Sequence, residues 1–118
     1  MATKQEVEHF LSNFKTKMKI FQIIFRDDRG KNAQALLDLE ISPGKRKEII
    51  EKLTMEDYSQ GPLEEQMSGM SPMWVFGKNV KETEVYIKIS MGRENMQTIC
   101  ISFHKAEYNM NYPFKSER

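Results

Sequence analysis

Glu84-Val85-Tyr86-Ile87-Lys88-Ile89-Ser90, followed after a short loop by Thr98-Ile99-Cys100-Ile101-Ser102-Phe103-His104, alternates apolar and polar residues twice over. Period-two alternation places successive side chains on opposite sheet faces. The pattern predicts an antiparallel hairpin of strands 84–89 and 98–103 with a longer loop over 91–95. One face would carry Val85, Ile87, Ile89 and Met91 with Ile99, Ile101 and Phe103. The other would carry Glu84, Tyr86, Lys88 and Ser90 with Thr98, Cys100, Ser102 and His104. A one-residue slip would set apolar groups against polar ones, so each face should stay whole, with Tyr86 near Ser102 or His104.

Upstream, Met73-Trp74-Val75-Phe76 reads as a further strand, with Gly77-Lys78-Asn79 as a bulge or turn. At the N-terminus, Thr3 and Glu6 have capping-box spacing. Val7, Phe10, Leu11 and Phe14 then form one helical stripe over about three turns, which Lys15–Lys19 would end. Ile20–Phe25, rich in β-branched and aromatic residues, reads as a largely buried strand. A charged turn, 26–30, leads to a short helix over 32–39. Ser42-Pro43 is a helix start, and Ile49, Ile50 and Leu53 are its buried stripe. The cations Lys45, Arg46 and Lys47 sit badly in a first turn, and point to a wet face or an anion-facing one. Residues 53–73, with four Asp or Glu and no Lys or Arg, read as irregular loop. The class is α+β: N-terminal helices (residues 1–53) packed on a mainly antiparallel sheet (54–118), in one domain over 1–118.

Composition narrows function. The 118 residues are 39% hydrophobic and 30% charged, enough for a modest core. A formal charge of +1 excludes a basic coat that holds polyanions by charge alone. No apolar run is long enough to span a membrane, and the start lacks a secretion signal, which points to a cytoplasmic protein. One cysteine and two histidines are too few for a zinc site, and no phosphate loop or nucleophile elbow occurs, so neither a metal nor a cofactor is expected.

Acid–base chemistry looks assembled in one place. Tyr86, Lys88, Ser102 and His104 share a face at strand-pair distances of about 5–7 Å. Histidine moves protons near neutral pH, lysine supplies positive charge, and tyrosine donates or stacks. A solvated outer sheet face would carry the same pattern. Cys100 and His104 stand about 13 Å apart along the strand, too far for one ion or a nucleophile–base pair. Trp74 is a core anchor or a base platform. Tyr58, opening Tyr58-Ser59-Gln60-Gly61-Pro62, edges a cleft or a plain loop. Arg26, Arg29 and Lys31 either meet phosphate or pair with Asp27 and Asp28.

The order Thr54-Met55-Glu56-Asp57-Tyr58, Met73-Trp74-Val75-Phe76, Glu84-Val85-Tyr86-Ile87-Lys88-Ile89 and Cys100-Ile101-Ser102-Phe103-His104 resembles the MqsR family, across roughly residues 43–105. These are small RelE-like toxins of type II toxin–antitoxin systems. The resemblance implies a metal-independent endoribonuclease that cuts mRNA and is silenced by a cognate antitoxin protein. Tyr86 matches the family's catalytic tyrosine. Ser59, Val75 and His104 stand where the family has Lys, Gln and Lys. On this reading His104 is the acid or base, Tyr86 its partner, and Lys88 the anion stabiliser. Lys78, Arg93, Ser102, Trp74 and Tyr58 would contact the substrate. The alternative is a RelE-like protein- or RNA-binding module without catalysis.

Overall fold

A computed structural model of the chain describes residues 1–64 and 71–116. Thr3 caps the first helix, α1 (Lys4–Phe21), and its hydroxyl and the Glu6 carboxylate satisfy each other's backbone amides. The helix runs past the lysines that were expected to end it. Met18 extends the buried stripe by another turn, and the lysine stems lie along neighbouring surface with their ammonium groups on carbonyls. Lys15 Nζ donates to Leu53 O, and Lys17 Nζ to Met91 O and Arg93 O. Burial holds both ammonium groups below the usual lysine range. Gln22, at φ 73°, ends the helix, so the expected strand shrinks to β1 (Ile23–Phe25) and Ile20 stays 67% exposed.

Helix α2 (Gly30–Asp38) and α3 (Pro43–Glu51) follow. Ser42 caps α3 as its sequence predicts, with Oγ accepting from Lys45 N at 3.0 Å. Arg46 corrects the wet-face expectation. Its side chain is 3% exposed, forked onto the Asp27 carboxylate at 2.8 and 3.0 Å, with the guanidinium 3.7 Å over the Phe25 ring. A flat, weakly hydrated cation tolerates such a place where an ammonium would not.

The acidic middle is not all loop. After a 3-10 turn, Met55–Asp57, the chain forms β2 (Tyr58–Leu63); residues 65–70 of the expected loop lie outside the described residues. Next come β3 (Met73–Val80), β4 (Thr83–Ser90) and β5 (Thr98–Lys105). Gly77 is neither bulge nor turn: it pairs with Tyr86 mid-strand, and a Cβ there would collide with the Tyr112 ring.

The five strands order as β1-β5-β4-β3-β2, antiparallel except for the parallel β1–β5 pair. The fold is therefore α+β, with N-terminal helices packed on a mixed, mostly antiparallel sheet. Phe10, Phe14 and Met18 of α1 and Ile49 and Ile50 of α3 join Phe76, Ile87, Ile89 and Phe103 in one core. That core lies on one sheet face and leaves the other for the site.

The β3–β4 turn places Lys81 and Glu82 at φ 50° and 66°, where side chains other than Asn and Gly are strained. Replacing the pair with Asn-Gly should stabilise the fold by about 1 kcal/mol, raising the thermal midpoint by roughly 4 °C. The bond from Lys81 Nζ to Glu40 O that is lost is exposed and offsets little. An unchanged midpoint would show that the turn is unstrained.

Candidate active site

Two rows of paired residues cross the free face of the sheet. Gly77, Tyr86 and His104 form one, and Val75, Lys88 and Ser102 the next. Contrary to the alternation, the faces do not stay whole, because the register steps between Lys88↔Ser102 and Ile89↔Cys100. Ile101 is the extra residue of a β-bulge, and parity inverts there. Cys100 therefore belongs to the core, while Ser102 and His104 keep the free face.

Asn32 holds this bulge. Beyond Phe25, β1 ends, and β5 would have bare backbone along that edge. Asn32, buried at the start of α2, donates through Nδ2 to Ile101 O and Arg26 O, both at 2.8 Å, and its Oδ1 accepts from Phe103 N at 3.0 Å. One carboxamide thus stands in for the missing strand.

The rings of Tyr86 and His104 stack, 5.3 Å between centroids and 14° from parallel. His104 Nδ1 lies 3.0 Å from Lys105 O. A carbonyl only accepts, so Nδ1 is the donor, and in the neutral ring Nε2 presents its lone pair. Burial pushes the Tyr86 phenol above its ordinary value, so it remains a donor through neutral pH. Tyr86, Lys88, Ser102 and His104 line an open cleft of about 880 Å³. Arg29 and Lys31 at the start of α2 bound it on one side, and the segment after β5 on the other. Lys31 pairs with Glu107 at 2.8 Å.

The other candidate residues lie elsewhere. Trp74 and Lys78 share strand parity with the core residue Phe76, and so face away from the cleft. Trp74 stacks on Phe10 at 4.5 Å, and Lys78 Nζ lies 3.2 Å from Asp57. Tyr58 is fully buried against Phe114, although its neighbours Ser59 and Gln60 do edge the cleft. Arg93 sits in the β4–β5 loop, where its carbonyl accepts from Lys17. Reading β3 by its own alternation would have assigned Trp74 and Lys78 correctly. Arg26 of the charged turn pairs with Asp28, while Arg29 and Lys31 reach the cleft. Nothing in the sequence marks the segment after β5 as a wall.

Among the described residues, no three His, Cys, Asp or Glu side chains gather as a metal site requires, and no helix is long and apolar enough to cross a membrane. Comparison with protein-family models, curated proteins and solved structures yields no match.

Burial on both faces of the sheet gives an alkaline limit to stability. The Cys100 thiol is pushed from 9.0 up to about 12, and Tyr86 and Tyr112 are also raised, by burial first and for Tyr112 also by Glu84. The folded state keeps these protons where the unfolded chain loses them. The stabilisation is whole below the unfolded values and is lost as pH rises. From the thiol alone it falls by at most about 1.4 kcal/mol per pH unit. Urea unfolding across this window should show that slope, and Cys100→Ala should flatten it; a parallel slope in the variant would assign it elsewhere.

Proposed function

We propose that this chain is a metal-independent mRNA endoribonuclease of RelE-like type, a toxin that acts in the cytoplasm and is held by a cognate antitoxin. The supporting observation is the stacked Tyr86–His104 pair beside Lys88 and Ser102 on the floor of an accessible cleft. His104 Nε2 takes the proton of a ribose 2′-hydroxyl. The 2′-oxygen then bonds to phosphorus as the bond from phosphorus to the 5′-oxygen breaks. The departing 5′-oxygen takes a proton from solvent or from the imidazolium, leaving a 2′,3′-cyclic phosphate. Tyr86 donates a hydrogen bond to a non-bridging oxygen, and the Lys88 ammonium offsets charge on the five-coordinate phosphorus.

RNA incubated with the protein and excess EDTA should be cut to products with cyclic-phosphate ends. RNA left intact at high protein concentration would end this reading. It would favour the alternative, a binding module without chemistry, which fits the near-neutral net charge. The antitoxin, expected from an adjoining reading frame, should abolish cleavage when added.

A further inference from the structure

The two walls of the cleft differ in chemistry. Arg29 makes one cationic, with Lys31 beside it paired to Glu107, whereas Tyr108, Asn109 and Asn111 line the other. The segment carrying these three is anchored at both ends. Ala106 N donates to Glu84 O at 2.9 Å, Met110 N to Glu84 Oε1 at 3.3 Å, and the Tyr112 hydroxyl to Glu84 Oε2 at 2.8 Å. Phe114 then stacks on Tyr58 at 5.3 Å between centroids. Between the anchors, Tyr108 is left 86% exposed at the rim. An aromatic ring held into water at the edge of a cleft offers a flat face on which a planar group can stack. Beside it, two carboxamides present donors and acceptors together, the set that reads a base edge. Glu107, the one charge in this wall, is tied to Lys31, so the wall selects by hydrogen bonding rather than by charge.

We infer that the 107–111 segment is a subsite for one unpaired nucleobase of single-stranded RNA, stacked on Tyr108 and read by Asn109 and Asn111. This rests on the cleft being an RNA site and deepens that reading. The phosphate lies toward Arg29 and Lys88, and the base reaches across to the opposite wall. Bases in a duplex are excluded, because their edges and faces are already engaged.

Single-base 2′-deoxy tetranucleotides lack the hydroxyl that cleavage requires, so titrating them against the full chain measures binding alone. Unequal affinities for the four bases are expected. Tyr108→Ala should weaken each by roughly tenfold, and Tyr108→Phe should retain binding. The double variant Asn109→Ala with Asn111→Ala should narrow the spread between bases to about twofold or less. All three positions are exposed, so the fold is not at stake. Absence of binding, or affinities unmoved by Tyr108→Ala, would overturn the subsite. If RNA stays intact yet tetranucleotides bind through Tyr108, the nuclease reading fails and the subsite stands. If RNA is cut with the same base preference in the double variant, the subsite fails and the nuclease stands.

Discussion

With alanine at position 104, RNA cleavage should fall by roughly 10²- to 10⁴-fold, the share of a barrier that a positioned proton-transfer group removes. The imidazole lies on the free face and not in the core, so the loss should be chemical. His104→Ala also removes a ring stacked on Tyr86, at a cost of about 0.5–1.5 kcal/mol. His104→Phe separates the two effects. It keeps a ring against the phenol but has no nitrogen to accept a proton, so activity should fall as far while the thermal midpoint holds. Wild-type cleavage by His104→Phe would remove the histidine from the mechanism. Tyr86→Phe keeps the stack and loses one donor, so a smaller loss of roughly 10²-fold is expected.

The second large effect is on stability. Asn32→Ala should lower the unfolding free energy by about 2–6 kcal/mol, because it strands two buried backbone groups at about 1–3 kcal/mol each. These are the Phe103 N–H and the Ile101 carbonyl, both within buried residues; the Arg26 carbonyl lies nearer the surface and can be hydrated. Against a domain's total of about 5–15 kcal/mol, that is a large fraction. Asn32→Asp is informative in another way. It keeps the acceptor for Phe103 but sets a carboxylate against two carbonyl oxygens, and should be no better than alanine. Urea denaturation measures both, and a loss below about 1 kcal/mol in Asn32→Ala would show that water replaces the amide.

What could be read from the sequence was whatever has a short-range signature. The Thr3–Glu6 box, the Ser42-Pro43 start and the alternation in β4 each depend on neighbours a few residues away. The bulge at Ile101 leaves no such mark, since the alternation from Thr98 to His104 runs through it unbroken. Strand β2 was hidden because Gly61 and Pro62 break its pattern, which an edge position tolerates. Arg46 was misjudged because its burial depends on Asp27, contributed by a turn 19 residues earlier. In the site, parity alone brought Tyr86, Lys88, Ser102 and His104 together. The walls come from α2 and from the segment past β5, which only the topology places opposite each other.

The strand order has a kinetic consequence. Thr98 of β5 bonds to Gln22 beside β1 across 76 residues, and β5 lies between β1 and β4. The local β3–β4 hairpin can zip early, whereas β1 has no partner until the last strand arrives. Loop-closure entropy on that scale makes its docking a late and slow event. Folding should therefore leave Ile23 and Phe25, which pack against the core, waiting in water until the end, the period in which the chain is most open to self-association.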